Sequence, residues 1–388
     1  MFNHDKSHFG YYAVGEYKTF SKIEALEFSD QHGQAMTWHF NDEVYNCYDW
    51  SAEPAETIKE LYFARARQLR EKYDYLVLSY SGGSDSHTVL MSFVEAGVPL
   101  DEVVCYTYLE ADHRKDSFMN HEIFATALPI VHELKKTNPL YKDLVIRELD
   151  ISSLTARLFD QVSIFDFQYF ANSTISPWNT TKSVIRELTP DYQELCHSRK
   201  VGFVHGMEKP NCIKFNKGKF YFQFTDMFDA SVGARTQYLN REWEHDEFFF
   251  STPDAPKITI KQCHLIKNFL INSKIPHPWM SGTEASSFGH VPKWHNNQWQ
   301  TFWLSRLGVN HIIYPWYNPE WITAPKVTNV IFGDRDRWLF EHSELGKPFN
   351  TYVNGMMSKY GARWYGPTLH SDKPDVVRFA SQAYCLSK

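Results

Sequence analysis

The chain has only six cysteines in 388 residues: Cys47, Cys105, Cys196, Cys212, Cys263 and Cys385. No two form a CxxC pair, so neither a disulfide framework nor a zinc site is indicated, and scattered reduced thiols fit the cytosol. No apolar run reaches the ~18 residues of a membrane helix, and no charged-then-apolar leader opens the sequence. The expectation is a soluble protein of the cytoplasm. Positive charge is not in excess: the net charge is −6, from 40 Lys and Arg against 46 Asp and Glu. That argues against a general nucleic-acid coat, which runs on surplus cations, while leaving room for a local basic cleft. The 18 histidines include no HExxH or related spacing. Repeats, low-complexity tracts, charged tails and obvious linkers are also lacking.

What the chain does have is aromatic mass, at 16% of residues. Such side chains fill large cores and stiffen loops, and they also line pockets for flat rings. The length allows one to three domains. Residues 1–55 read as a small N-terminal cap, with strand-like "FGYYAVGEYKTF" and a helix from Ser21 to Gly33. Apolar residues recur at three- and four-residue steps over 55–73, predicting an amphipathic helix. "DYLVLSY" (74–80) is nearly all apolar, as in a strand covered on both faces. A helix closing at Gly97, a strand over 101–110, a helix broken near Pro129 and a strand over 144–152 follow. A further helix and a fourth strand, "VGFVHG", complete a β-α-β pattern. Short connections of this kind predict a doubly wound parallel α/β sheet with right-handed crossovers.

At the first strand-to-helix junction stand Ser81, Gly82, Gly83, Ser84, Asp85 and Ser86. The first N–H groups of a helix lack internal partners, and the helix dipole adds positive potential, so this junction suits an anion. The glycines permit close backbone approach, and the serines add hydroxyl donors. Asp85 is a poor phosphate ligand but a good ligand for Mg²⁺ bridging phosphate oxygens. The three letters SGG alone equally suit an ordinary tight turn with serine caps.

SGGSDS resembles the SGGxDS signature of the PP-loop ATP pyrophosphatases. That superfamily includes the synthetase domains of asparagine and GMP synthetases and the phosphoadenylylsulfate reductases. The resemblance rests on these six residues and on the topology of roughly 70–215. It is distinct from the GxxxxGK[ST] and GxGxxG loops. The resemblance implies a PP-loop, Rossmann-like sheet with ATP across the C-terminal strand ends and its pyrophosphate portion on residues 81–86. It further implies adenine near Tyr106, a magnesium ion on Asp85, and adenylation of an acceptor with release of pyrophosphate. Amide, amine or sulfur transfer would follow. The aromatic style of the chain also resembles PP-loop proteins of tailed bacteriophages, which would place it in a host cytoplasm.

That chemistry needs a cation for the leaving pyrophosphate. In "HGMEKPN" (205–211), His205, Glu208 and Lys209 would face the cleft, with Lys209 the candidate cation. A solvated lysine in an exposed turn is the plainer reading. Lys257, Lys261 and His264 recur at helical spacing and form a phosphate or acidic-substrate patch or a solvated face. Arg335, in "GDRDR", grips a substrate carboxylate or belongs to a salt-bridged loop. Residues 56–215 are assigned to the ATP-binding domain. Residues 216–388 are assigned to an aromatic-rich region packed on it, with an acceptor pocket in its Trp-rich stretch. Phe2 stands where glutamine-dependent relatives carry a catalytic cysteine. Nitrogen would then come from ammonia, a substrate amine or a partner. The acceptor, a small molecule or a nucleotide or nucleic acid, and the oligomeric state are left open. Two alternatives remain: a nucleotide-binding module without turnover, and a sulfonucleotide reductase using Cys385.

Overall fold

The structure is a computed structural model. It describes residues 9–117, 119–161, 164, 167–170, 189–207, 209–210, 212–226, 245–272, 300–303, 310–318, 334–367, 374–376 and 379–388. The N-terminal part folds as the antiparallel sheet β2-β1-β3, made of β1 (Tyr11–Val14), β2 (Tyr17–Thr19) and β3 (Met36–His39). A helix, Lys22–His32, joins β2 to β3. The Ser21 hydroxyl caps its start by accepting from the Glu24 N–H, and Gly33 caps its end, as the local letters predict.

The helix Ile58–Lys72 opens on a reciprocal capping box between Thr57 and Glu60. It leads into β4 (Tyr75–Ser79), which is followed in parallel by β5 (Glu102–Thr107), β6 (Val145–Asp150) and β7 (Val201–His205). Between β5 and β6 the chain runs as a π-helical turn, Ile123–Ala127, and then an α-helix, Leu128–Thr137, with Pro129 in its first turn. Proline lacks an N–H, so the change of helix type falls where the break was expected. A hairpin of β8 (Cys212–Asn216) and β9 (Lys219–Phe222) comes next, and then β10 (His245–Phe248) returns to pair with β7. The result is an all-parallel five-stranded α/β sheet of Rossmann-like form, in the order β10-β7-β4-β5-β6.

Strand alternation explains how both faces are covered. Leu76, Leu78, Val103 and Val204 enter a core with Leu69, Phe93, Val131 and Ile258 from four helices. Val77, Val104 and Phe203 face the other way, onto Tyr192 and Cys196 of the helix Pro190–Ser198. Each such side chain, fully buried, contributes roughly 1.5–3 kcal/mol.

The sheet runs past the boundary drawn at 215, because its fifth strand comes from 245–248. "HDEF" has no apolar alternation to announce it. Its acids are buried because each meets a distant base. Asp246 Oδ1 lies 2.7 Å from His205 Nε2, and Glu247 lies 2.7 Å from both Arg65 and Lys72. Burial alone would raise the Glu247 carboxyl, but the two cations hold it below its usual range.

The hairpin also belongs to a second, antiparallel sheet. β8 pairs with β11 (Gln300–Trp303), β12 (Tyr365–Pro367) pairs separately with β13 (Pro374–Val376), and β9 pairs with β14 (Tyr384–Cys385). Trp50 stacks on Tyr384 at 4.4 Å between centroids, and Phe224 lies 4.5 Å from both Tyr45 and Phe40. These aromatics form core between the N-terminal part and the second sheet. Most of the Trp-rich stretch assigned to an acceptor pocket lies outside the described residues. Among those described, no helix is long and apolar enough to cross a membrane.

Candidate functional site

The strand order sets the position of the site. The chain steps from β4 outward to β5 and β6, then crosses back over β4 to β7 and β10. The order reverses between β4 and β7, and the C-terminal ends of the strands at such a reversal are where open α/β sheets hold ligands. Ser81–Ser86 follows β4 at that end of the sheet, and Gly206 and Met207 follow β7 beside it.

Gly82 adopts φ 79°, a backbone region that favours glycine, and a Cβ there would stand 3.0 Å from the Ala127 backbone nitrogen. Gly83 is the N-cap of the helix Ser84–Glu95 and, having no side chain, makes no side-chain capping bond of its own. Two of the serines brace the loop internally. Ser86 Oγ accepts from the Ser81 N–H at 3.2 Å and donates to the Gly83 carbonyl at 3.2 Å, while Ser81 Oγ accepts from the Gly83 N–H at 3.3 Å. The Ser81 and Ser86 hydroxyls thus fix the shape of the turn as well as being candidate donors. Ser84 is the first residue of the helix.

Asp85 and Lys209 come together although 124 residues apart, with Lys209 Nζ 2.6 Å from Asp85 Oδ1. Both side chains are partly exposed, 31% and 21%, so solvent screens this pair. Tyr314 donates its hydroxyl to the same Asp85 oxygen, and the Lys209 ammonium lies 5.5 Å from its ring centroid. Burial, reinforced by the Asp85 charge, holds the Tyr314 hydroxyl far above its ordinary pKa, so it stays a donor. Tyr314 was not foreseen. Its "NHIIY" context carries no signal beyond one helical turn, Asn310–Ile313, and the contact is entirely non-local.

Gly206 was not foreseen either. A Cβ there would come within 2.9 Å of the Asp85 carbonyl carbon and oxygen and of Ser86 Cα. The missing side chain lets the end of β7 lie against the first turn of the loop helix. Gly206→Ala is expected to cost about 1–3 kcal/mol by overpacking backbone against backbone. Chemical denaturation checks this, and a cost below about 0.5 kcal/mol would mean that the two segments do not meet.

Behind the loop, the buried His87 Nδ1 lies 3.0 Å from the Tyr80 hydroxyl, and burial pushes the imidazole down to about 4. Beside the loop, Glu122 brings a carboxylate oxygen to 3.1 Å from where a Gly83 Cβ would stand. Among the described residues, no three His, Cys, Asp or Glu side chains gather as a metal cluster. A single carboxylate such as Asp85 suits magnesium, which keeps several waters and takes its other ligands from phosphate oxygens.

The remaining candidates lie as follows. Tyr106 is half-buried near the end of β5, between the Val104–Tyr192 and Tyr108–Ile151 clusters. The backbone just after it already has intramolecular partners. The Tyr108 N–H donates to Asn120 Oδ1 at 2.8 Å, the Thr107 carbonyl accepts from Ile151 at 3.0 Å, and the Tyr108 carbonyl accepts from Asp112 at 2.8 Å. The Tyr108 N–H is thereby occupied, while each carbonyl keeps a second lone pair beside Tyr106. Lys261 is bound to Glu53 at 2.7 Å and to the Pro54 carbonyl at 3.0 Å, and Lys257 to Glu56 at 2.5 Å. With His264 on the Trp50 carbonyl at 2.9 Å, this face docks the 50–56 segment. Arg335 begins the helix Asp334–His342, and its side chain lies outside the described residues, as does Glu208. His205 turns its Nε2 to Asp246. Cys385 sits in β14 with Sγ 3.2 Å from the Ser387 carbonyl.

Compared with known proteins, the chain matches no protein-family model and no curated protein.

Proposed function

We propose that the chain is a PP-loop-type, ATP-dependent enzyme of the AMP- and pyrophosphate-forming kind. It adenylates an acceptor and then passes it to a nitrogen or sulfur nucleophile. One observation carries this reading. The Ser81–Ser86 turn stands at the C-terminal end of β4, where the strand order reverses, and Lys209, beyond the end of β7, reaches its acidic residue at 2.6 Å.

In this reading an acceptor oxygen attacks the α-phosphorus, the bond from that phosphorus to the bridging oxygen breaks, and pyrophosphate leaves with the electron pair. The N–H groups of Ser84, Asp85 and Ser86, the first three of the helix, bind the pyrophosphate portion. Gly82 keeps the backbone close to it, and Ser81 and Ser86 hold the turn in shape. Lys209 neutralises the charge that gathers on the leaving group. Asp85 is the residue that would hold Mg²⁺, whose charge would help neutralise the phosphates. Glu122 adds a second acidic group at the same edge.

Mixing the protein with ATP, Mg²⁺ and a panel of carboxylate, nucleotide and RNA acceptors is expected to yield AMP and pyrophosphate together. ADP as the sole product would overturn attack at the α-phosphorus. A binding module without turnover is the second reading. It is favoured by the two donors that Asp85 already accepts, from Lys209 and Tyr314. Retained ATP with no AMP across the whole panel would select it.

A further inference from the structure

Three distant parts of the chain meet at one oxygen of Asp85. Asp85 and a nucleotide phosphate would compete for the Lys209 ammonium, since both are anions. Tyr314 is different, being neutral and fixed from behind. The preceding carbonyl, of Ile313, accepts from the Tyr62 hydroxyl at 2.7 Å, and that hydroxyl accepts from Gln262 Nε2 at 2.8 Å. Tyr62 and Gln262 lie on two core helices, Ile58–Lys72 and Pro256–Asn272, and Tyr314 itself is only 1% exposed. The hydroxyl is therefore aimed at Asp85 by the fold and not by the loop.

We propose that Tyr314 is a positioning residue that sets the magnesium requirement of nucleotide binding. Its hydroxyl holds the Asp85 carboxylate toward Lys209 and competes with a divalent cation for the charge of Oδ1. The inference rests on the nucleotide-binding reading above. It adds that a residue with no direct role in holding phosphate decides how much Mg²⁺ the site needs. A hydrogen bond to a charged acceptor is among the stronger kinds in a protein, so its loss changes ion binding by a measurable factor.

The test uses the full chain and the α,β-methylene analogue of ATP, in which the bond that would break is blocked. Calorimetry follows analogue binding against Mg²⁺ concentration in wild type and in Tyr314→Phe. The variant is expected to need roughly tenfold less Mg²⁺ for half-maximal binding. Binding without metal should stay within about twofold of wild type. A purely structural role for Tyr314 would weaken both arms together, and that result overturns the proposal. So does an unchanged magnesium requirement. Tyr62→Phe, which loosens the support of Ile313, should move the requirement the same way by a smaller factor, and it serves if Tyr314→Phe fails to fold. Adding Tyr314→Phe to Asp85→Asn should change nothing further. Wild type that binds the analogue equally well with and without Mg²⁺ would overturn this inference and leave the nucleotide site standing. Wild type that binds no nucleotide would overturn the reading beneath it.

Discussion

Asp85→Asn is expected to lower ATP-dependent formation of AMP and pyrophosphate by roughly a thousandfold while leaving the fold intact. The substitution keeps size and shape but removes the anion, so the amide cannot hold a divalent cation beside the phosphates. It also leaves the Lys209 ammonium without its counter-charge at 2.6 Å. The fold should survive, because the carboxylate is 31% exposed and an amide oxygen still accepts from Tyr314. A melting temperature within a few degrees of wild type, together with lost turnover, is the anticipated pair of results. Turnover within threefold of wild type would remove Asp85 from the mechanism.

Breaking the Lys22–Asp226 pair should have the largest effect on stability, about 3–5 kcal/mol for either Lys22→Met or Asp226→Leu. Both side chains are fully buried and 2.6 Å apart. Asp226 also accepts from the Tyr12 hydroxyl at 2.7 Å and the Phe379 N–H at 2.5 Å, and the Lys22 ammonium lies 4.9 Å from the Phe379 ring centroid. Removing one charge strands the other in a medium that solvates it poorly. The double variant should cost less than the sum of the singles, since two apolar side chains leave no lone charge. Urea titration of the four proteins reads this directly. Single losses below about 1 kcal/mol, or strict additivity, would show that the pair is not closed to water.

The features legible in the sequence are the local ones. The Ser21 cap, the Gly33 stop, the run 74–80 and the string at 81–86 each carry their signal within a few residues, and they fix the first βαβ units and the loop. The fifth strand was not legible. Asp246 and Glu247 read as solvent-facing until His205, Arg65 and Lys72 are seen to neutralise them from up to 182 positions away. The partner of Lys261 was hidden for the same reason. Helical spacing places Lys261 correctly with Lys257, but nothing in that spacing reveals Glu53, 208 residues off. Within the site, Asp85 and Lys209 could be named because their chemistry was required. Gly206 and Tyr314 could not, since one acts by lacking a side chain and the other through a single hydroxyl brought in from afar.

The second sheet bears on how the chain is made. The β8–β9 hairpin can form early, but its outer neighbour β14 is Tyr384–Cys385, and the Leu386 N–H closes on the Phe220 carbonyl at 2.8 Å. On a ribosome, residues 212–222 must wait until residue 386 has cleared the exit tunnel before that edge is covered. During this interval the rings of Trp50 and Phe224 lack their Tyr384 partner. Synthesis, and not only sequence, therefore decides how long this apolar edge is open to chaperones or to other nascent chains.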